Sequence, residues 1–427
     1  MRNNIVSVFL WGREICKLEW QGGYKQGFGK VGALISFHPD YSKFGWNLDP
    51  AGPYNTAYYF VRKGLSDLCR AGEDEGLPRF LSGSLPDDWG NKVFSSWVES
   101  NKLRHSDITA VDKLSFIGKR GMGALEYVPQ TFNAQNNETI VLEELYDLAR
   151  EIEESRSGVS LNLDEKPRIN DLMSVGMSAG GKHPKAVIAI NRATGEVRSG
   201  QVLLPKEFTQ YILKFRDSGS WPGPEVEYVY YNMAKAAGIM MEHCELLEVQ
   251  QVKHFLTERF DRKNGQKQHT ATLHALMGQV SSYEEIFRLC RKMRLPATDI
   301  EQLFRRAVFN FLSCVCDDHD KNISFVMDEN GKWRLSPAYD VTFSANLGNR
   351  FIDDRHSMTV GGADRSVTEG RFLRLAEEND VKRASAIIGE VADAVGNFSS
   401  IAMQTGLDGN VSRIIFSYIQ RQLQALK

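Results

Sequence analysis

The most informative stretch of the chain reads Asp317-Asp318-His319-Asp320-Lys321-Asn322. It follows an apolar segment whose spacing predicts a helix over residues 298–314. Two short apolar runs come next, around the turn Asp328-Glu329-Asn330-Gly331, and they predict a hairpin. Asp340 stands just beyond this hairpin. The sequence therefore predicts a polar loop between a helix and a hairpin, with one further carboxylate on the far side.

The residue types in this loop fit the needs of phosphoryl transfer. A carboxylate must accept the proton of the attacking hydroxyl, and Mg²⁺ on the phosphates prefers oxygen ligands from amides and carboxylates. In kinases the catalytic Asp precedes the metal-binding Asn with four residues between them, and Asp317 and Asn322 have this spacing. Asp340 follows where a second magnesium ligand is expected, and His319 is a further catalytic candidate inside the loop.

Two other interpretations of the loop stay open. A solvated acidic turn would need no function, although the apolar flanks that would bury Asp340 argue against it. A metal-dependent phosphohydrolase could use His319 and Asp320, but that chemistry needs further histidines at helical spacing. The other eight histidines of the chain supply no obvious set.

A glycine-rich segment at residues 176–185 is the second candidate site. Glycines let backbone N–H groups approach a phosphate closely. The segment nearly matches a Walker A loop, but His183 replaces the Ser or Thr that would hold magnesium, and a predicted strand follows rather than a helix. A glycine loop that leads into a strand is typical of kinases, and a plain glycine turn is the alternative. The candidate nucleotide-binding residues here are Gly176, Ser178, Ala179, Gly180, Gly181 and Lys185.

Lys214 lies in the apolar run Tyr211-Ile212-Leu213-Lys214-Phe215, which predicts a strand. In kinases such a lysine contacts the α- and β-phosphates and a glutamate of a nearby helix. The predicted helix over residues 225–237 offers Glu227 as that partner. A solvated edge lysine is the alternative interpretation.

Length and composition describe an ordinary globular protein of two or three domains. The 427 residues are 42% apolar and 25% charged, and the net charge of −2 gives no electrostatic reason to expect nucleic-acid binding over the whole surface. The six cysteines are scattered and lack the spacing of a zinc site. No apolar run reaches membrane-spanning length and no signal-peptide core is present, so we expect no membrane partner and a cytoplasmic location.

The apolar spacing predicts mostly strands in the first and central parts of the chain and mostly helices later. Strands are expected at 5–10, 14–18, 185–192, 210–216, 244–252 and 255–261. Helices are expected at 57–70, 89–99, 142–155, 168–175, 225–237, 283–293, 298–314, 367–378, 381–396 and 410–425. This order indicates an α+β fold that is bilobal and protein-kinase-like, with a strand-rich N-terminal lobe and an all-helical C-terminal lobe.

Together these motifs resemble the HipA family of toxin–antitoxin kinases over nearly the whole chain. The similar stretches are 81–90, 116–118, 123–125, 178–181, 184–186, 258–262, 317–322, 339–341, 356–358 and 361–362. The resemblance implies a HipA-like fold. Its expected parts are a HipA N-terminal subdomain at 1–130, a kinase N-lobe at 131–262 and a helical kinase C-lobe at 263–427.

The resemblance also implies a role for each candidate residue. Asp317 would be the catalytic base, and Asn322 and Asp340 would bind Mg²⁺. Lys214 would contact the phosphates of ATP, with residues 176–185 as the phosphate loop.

The nucleotide and the regulatory residues follow from the same resemblance. Glu258 and Phe260 would line the adenine pocket, and Asp261 would lie near the ribose. Members of the family autophosphorylate a serine of the phosphate loop, and Ser178 is the candidate here, ahead of Ser174. About two added negative charges on that loop would repel the phosphates of ATP.

The expected partners also come from the family. Its members are toxins neutralised by a small HipB-like DNA-binding antitoxin, so DNA is expected only through that antitoxin. Some members phosphorylate an aminoacyl-tRNA synthetase, glutamyl-tRNA synthetase in the best-known case. Two alternatives remain: a catalytically weak scaffold that binds the antitoxin as a co-repressor, and a kinase-fold enzyme with another chemistry such as nucleotidyl transfer.

Overall fold

The structure is a computed structural model of the 427-residue chain. It describes residues 4–22, 24–25, 29–56, 66–70, 74–132, 139–154, 176, 181–202, 204–263, 265–345 and 354–427. The described residues form two compact units. Unit 1 contains those up to Ser220 together with 247–271 and 327–332, and unit 2 contains 221–246, 272–326 and 333–427.

The strands are named in chain order. They are β1 (Ile5–Leu10), β2 (Arg13–Trp20), β3 (Tyr24–Lys25), β4 (Gly29–Phe37), β5 (Ser66–Arg70), β6 (Leu125–Val128), β7 (Lys185–Asn191), β8 (Val197–Ser199), β9 (Phe208–Lys214), β10 (Cys244–Val249), β11 (Val252–Glu258), β12 (Arg262–Lys263), β13 (Gln266–Lys267), β14 (His269–Thr272), β15 (Ser324–Met327) and β16 (Trp333–Leu335).

The α-helices are named in the same way. They are α1 (Arg79–Ser82), α2 (Asp88–Ser100), α3 (Ala110–Ile117), α4 (Leu142–Glu154), α5 (Gly223–Ala236), α6 (Leu273–Met277), α7 (Tyr283–Lys292), α8 (Ala297–Ser313), α9 (Glu369–Glu378), α10 (Ala384–Gly396), α11 (Phe398–Thr405) and α12 (Gly409–Leu426).

Two sheets dominate unit 1. The first has the order β3-β4-β2-β1-β6, with β5 paired to β4, and its neighbouring strands are antiparallel. The second has the order β10-β11-β9-β7-β8. In β7 the run Lys185–Ile190 is buried, which explains why its sequence is continuously apolar after the first residue instead of alternating.

The helix expected at 57–70 is wrong for its last five residues. Ser66–Arg70 forms β5, in which Leu68 pairs with Leu34 and Asp67 pairs with Ile35. The rest of that segment lies outside the described residues. Helical spacing is a local signal, whereas the partner strand lies about thirty residues away in sequence, so long-range pairing overrides it here.

Helix α8 is the central packing element of unit 2. It contacts α7, α10 and α12. Leu303, Phe304, Ala307, Val308 and Phe311 are all buried, at the three- and four-residue spacing that puts side chains on one side of a helix. The apolar residues whose spacing predicts this helix are therefore the ones that are buried when it packs against its neighbours.

The first turn of α8 is tied to the hairpin that follows the polar loop. The buried carboxylate of Asp299 accepts hydrogen bonds of 2.8 and 2.7 Å from the guanidinium of Arg334 and one of 2.8 Å from the backbone N–H of Leu335. These three bonds attach β16 to the N-terminal end of α8. The same helix thus supports the loop at its C-terminal end and the hairpin at its N-terminal end.

The predicted α+β character is present in the described residues. The part from residue 263 onward is predominantly helical and also contains short strands, among them the β15–β16 hairpin expected from sequence. The expected helix at 168–175 lies outside the described residues. Among the residues described, no helix has the length and apolarity needed to cross a membrane.

Candidate active site

The polar loop begins where α8 ends. Cys314 adopts a left-handed conformation with a φ of 58°, and its N–H and that of Val315 both bond to the carbonyl of Asn310. A left-handed residue after the last helical turn stops the helix and redirects the chain. The loop Val315–Asn322 therefore leaves a rigid helix end at a defined angle.

Asp317 and Asn322 are brought together by the backbone of this loop. The side chain of Asp317 is 67% exposed, and its backbone N–H donates to Oγ of Ser344 at 2.9 Å. Its carbonyl oxygen accepts a 2.8 Å hydrogen bond from Nδ2 of Asn322. Because the amide nitrogen is used in this way, the amide oxygen of Asn322 is the atom that could coordinate a metal.

His319 lies within the same turn. Its Nδ1 accepts the backbone N–H of Lys321 at 3.1 Å, and its Nε2 is 3.7 Å from Oδ1 of Asp317. The ring is thus oriented by the loop itself, and the nitrogen nearest to Asp317 is within reach of that carboxylate. Its position fits a group that orients Asp317.

Asp318 and Asp320 point inward, unlike Asp317. Asp318 accepts hydrogen bonds from the hydroxyl of Tyr283 and from the backbone N–H of Met358, at 3.1 and 3.2 Å. Asp320 accepts one from the backbone N–H of Val280 at 3.2 Å. Sequence reasoning treated the loop as one acidic cluster, but the structure divides it into one exposed carboxylate and two that hold the loop in place.

Asp340 enters the site from the far side of the hairpin. It has a φ of 53°, the left-handed region that L-residues rarely adopt. The preceding Tyr339 is anchored because its hydroxyl donates to the carbonyl of Lys321 at 2.8 Å and lies 2.5 Å from Oγ of Ser324. A backbone held in this uncommon conformation by its neighbours is often found at functional sites.

One cavity within unit 2 collects these groups. Asp317, Asn322 and Asp340 all line it, and so does Arg306. Burial lowers the pKa of Arg306 to about 10, so this group stays positively charged at neutral pH. The three residues that the sequence spacing selects for phosphoryl transfer therefore line the same cavity.

The donor set fits magnesium bound together with a phosphate. Among the described residues, no group of three or more His, Cys, Asp or Glu side chains could hold a metal by itself. Mg²⁺ commonly takes only one or two carboxylates from the protein and completes its shell with water and substrate phosphates. Asn322 and Asp340 offer hard oxygen donors of the required kind.

In unit 1 the candidate lysines lie on neighbouring strands. Lys214 on β9 is paired in register with Lys185 on β7 and with Phe255 on β11. Its Nζ is 5.6 Å from the ring centroid of Phe255, whereas Lys185 is buried. Gly181 has a φ of 112°, a backbone conformation that L side chains rarely adopt, so this position favours glycine.

Other predicted nucleotide-binding residues are only partly covered. Gly176 is buried, and Ser178, Ala179 and Gly180 lie outside the described residues. Glu258 ends β11, and both Glu258 and Phe260 are half-buried. The proposed partner Glu227 is buried on α5 in unit 2.

Asp261 occupies an environment that differs from the expected ribose contact. Its carboxylate is fully buried, with Arg259 at 2.7 and 2.8 Å, Arg262 at 2.8 Å and the backbone N–H of Gly123 at 2.7 Å. Burial alone would raise the pKa of Asp261, but the charges of the two arginines hold it well below its usual range. The carboxylate is thus already satisfied by the protein, and our proposed site leaves it out.

Sequence reasoning overlooked the residues that hold the loop from behind. From the sequence, His356 belongs to a family-like stretch with no assigned role, and Asp318 is one member of the acidic cluster. The sequence shows only that these two residues are ionisable. It does not show that Asp318 is buried, because the stretch around it is polar throughout. Both become visible only when the 354–358 segment packs under the loop.

Comparisons with known proteins agree with this architecture. The family model of the HipA-like C-terminal domain matches residues 177–398, and that of the HipA N-terminal domain matches residues 6–128. A curated relative is the serine/threonine-protein kinase toxin HipA of Shewanella oneidensis, 22% identical over 339 residues, which are 72% of this chain and 69% of the relative.

The fold also resembles solved structures. A chain from the Shewanella oneidensis MR-1 toxin–antitoxin complex of HipA, HipB and operator DNA superposes with a TM-score of 0.67 at 16% identity, covering 98% of this chain and 96% of that one. The Helicobacter pylori proinflammatory kinase CtkA gives a TM-score of 0.39 at 14% identity, covering 51% of this chain and 88% of that one.

The superposition with the Shewanella chain establishes an α+β fold of the HipA type, as the sequence predicted. The HipA-like C-terminal model alone matches more than half of the chain, from residue 177 to residue 398 of 427. The chain therefore belongs to the HipA family.

Proposed function

We propose that this protein is an ATP- and Mg²⁺-dependent serine/threonine kinase that acts as the toxin of a toxin–antitoxin module. The observation that carries the proposal is the convergence of Asp317, Asn322 and Asp340 on one cavity, with the four-residue spacing of a kinase catalytic loop. The name of the curated relative, a kinase toxin, supports the same activity.

In this proposal the three loop residues Asp317, His319 and Asn322 and the more distant Asp340 each have one task. Asp317 accepts the proton of the substrate hydroxyl while the hydroxyl oxygen attacks the γ-phosphorus and the bond to the β-phosphate oxygen breaks, leaving ADP. Asn322 and Asp340 hold Mg²⁺, which neutralises charge on the phosphates. His319 keeps the carboxylate of Asp317 oriented, consistent with the 3.7 Å separation between them.

The nucleotide-binding residues of unit 1 complete the proposal. Lys214 contacts the phosphates, the segment 176–185 covers them, and Glu258 and Phe260 bind the adenine. Phosphorylation of Ser178 would silence the enzyme by adding negative charge beside the phosphates. We retain the division into 1–130, 131–262 and 263–427 as the proposed functional parts of the chain.

The proposed partner is a HipB-like antitoxin, which alone would contact DNA. Support comes from the solved complex, whose title names HipA, HipB and operator DNA. We propose a protein substrate among translation components, such as an aminoacyl-tRNA synthetase, which places the action in the cytoplasm.

Labelled ATP tests the activity directly. The wild-type protein is incubated in cell lysate with γ-labelled or α-labelled ATP, beside Asp317→Asn and Asp340→Ala. We expect γ-label on a protein band with the wild type and none with either variant. Asp328→Asn is the matched control, because the side chain of Asp328 accepts the N–H groups of Asn330 and Lys332 in the hairpin turn and an asparagine keeps that acceptor.

The other outcomes separate the rival functions. Transfer of α-label would replace the proposal with nucleotidyl transfer. No transfer of either label, with a HipB-like antitoxin still bound, would favour the co-repressor scaffold. Growth arrest by the wild type and by Asp328→Asn, but not by Asp317→Asn, is the result expected of a kinase toxin.

A further inference from the structure

His356 belongs to the stretch His356-Ser357-Met358, to which the proposed function gives no task. Its side chain is 1% exposed, and its ring stacks on Phe311 with centroids 3.9 Å apart and an angle of 20° between the planes. Nδ1 lies 3.2 Å from Oδ2 of Asp318. In the tautomer with a proton on Nδ1, the ring of His356 donates a hydrogen bond to this carboxylate oxygen, and we assign that tautomer from the contact.

Asp318 is the point at which several segments meet. Besides His356, it accepts the hydroxyl of Tyr283 at 3.1 Å and the backbone N–H of Met358 at 3.2 Å. Burial and the charge of Asp318 raise the pKa of Tyr283 well above its ordinary value, so that hydroxyl keeps its proton and remains a donor. Asn310 on α8 in turn donates to the oxygen of Tyr283 at 2.9 Å.

The backbone next to Asp317 is also held by the segment that contains His356. The N–H of Ser357 donates to the carbonyl of Cys316 at 3.0 Å, immediately before Asp317. Asp317 and Asp318 are neighbours with opposite exposure, 67% and 1% for their side chains. The contacts of Asp318 therefore hold the backbone directly next to the exposed Asp317.

A nucleophilic role for this cluster is less consistent with the contacts. Sγ of Cys316 is 3.8 Å from Nε2 of His356, which superficially resembles a Cys–His–Asp set. The thiol is buried, however, and donates to the carbonyl of Asp354 at 3.5 Å. A nucleophilic cysteine needs access and thiolate character, so the cluster is better explained as a support.

We propose that His356 is a positioning residue for phosphoryl transfer, acting through Asp318 to keep Asp317 and Asn322 aligned. The inference rests on the proposed kinase activity for its kinetic consequence, but the anchoring itself does not depend on it. A displacement of about 1 Å in a catalytic group can lower a rate by about a hundredfold, which makes a buried support of this kind measurable.

Two substitutions of His356 separate the hydrogen bond from the packing. His356→Phe keeps a ring against Phe311 and removes the donor, whereas His356→Asn places an amide nitrogen near the position of Nδ1. We expect His356→Phe to lower kcat by about 10- to 100-fold, with the KM for ATP changed by less than about twofold. His356→Asn should restore most of the lost kcat.

Hydrogen exchange provides a readout that is independent of activity. In His356→Phe the peptide covering residues 316–323 should exchange faster than in the wild type under native conditions. Tyr283→Phe is a milder second variant, because it removes one donor to Asp318 and keeps the ring. The matched control is Glu390→Gln, which weakens the 2.8 Å ion pair with the buried Arg305 in the same unit and has no part in the loop.

The results distinguish a role of His356 in positioning the loop from a general contribution to the stability of the folded protein. Faster exchange confined to 316–323, a loss of kcat and its rescue by His356→Asn support the positioning role. Unchanged exchange in a folded His356→Phe overturns it, as does a kcat loss that Glu390→Gln reproduces at equal loss of Tm. If the wild type transfers no phosphate, the kinase proposal fails on its own, and the exchange experiment still tests the anchor.

Discussion

The carboxylates of Asp261 and Asp317 are used in opposite ways. Asp261 in unit 1 is fully buried and receives hydrogen bonds from Arg259, Arg262 and the backbone N–H of Gly123. Asp317 in unit 2 has a side chain that is 67% exposed, with Nε2 of His319 3.7 Å from its Oδ1. A buried carboxylate whose hydrogen bonds all come from the protein stabilises the fold. An exposed carboxylate remains available to a ligand.

The largest expected effect tests the exposed side of this comparison. Asp317→Asn should lower the rate of γ-phosphate transfer by about 10³-fold or more, because it removes the group that accepts the proton. Its free energy of unfolding should change by less than about 0.5 kcal/mol, as for other exposed positions. Initial rates and chemical denaturation measure the two quantities. A large loss of stability with normal activity would reverse the roles assigned to the two carboxylates.

The buried side is tested by Asp261→Asn. This change leaves two buried guanidinium groups without their counter-charge, and breaking such a pair costs about 3 kcal/mol or more of stability. Denaturant titration should detect this loss, while the KM for ATP of the folded protein should stay near that of the wild type. A clear rise in KM with unchanged stability would return Asp261 to the ribose contact that the family resemblance implies.

A third prediction extends the comparison to a neutral buried group. Nδ1 of His254 accepts the backbone N–H of Arg216 at 3.0 Å, and its ring packs edge-on against the rings of Tyr146 and Phe215. Burial, and to a smaller degree the charge of Arg216, lowers the pKa of His254 to about 4. The folded state therefore binds this proton less readily than the unfolded chain, whose histidines titrate near 6.5.

The sign of the pH effect follows from that shift. The contribution of His254 to stability is complete above about pH 6.5 and is lost as the pH falls from there to about 4, by on the order of 1 kcal/mol per pH unit. His254→Asn can keep an acceptor for Arg216 without titrating. Denaturation between pH 7 and 4.5 should show a shallower decline in the variant, and parallel declines would contradict the prediction.

The smallest expected effect concerns an ion pair whose two side chains are partly exposed to solvent. Nδ1 of His183 is 3.0 Å from Oδ2 of Asp217, and this hydrogen bond lowers the pKa of Asp217. Since the side chain of His183 is 70% exposed, solvent screens the pair. His183 belongs to the segment 176–185 that is proposed to cover the phosphates, so the loss of its partner in Asp217→Asn should alter the KM for ATP, by no more than about fivefold. The KM is measured at low and at high salt, and the change should be smaller at high salt.

Much of the architecture was accessible from local sequence patterns. Apolar spacing predicts eight helices within a few residues of where they lie: α2, α4, α5, α7, α8, α9, α10 and α12. Ser66–Arg70, where a helix is predicted, forms a strand because β4 pairs with it, and the helices α1, α3, α6 and α11 are not predicted from apolar spacing. A one-dimensional pattern describes which face of a segment is apolar, but not which distant strand will satisfy its backbone hydrogen bonds.

The sequence by itself determined the chemistry of the candidate site: the spacing of Asp317 and Asn322 and the later Asp340 select oxygen ligands suited to phosphoryl transfer. Only the tertiary structure decided which carboxylates are available. Asp318 and Asp261 carry the same functional group as Asp317, yet both are buried among donors. Burial and hydrogen-bond partners come from segments far apart in the chain, so identical residues acquire different roles only when the chain is folded.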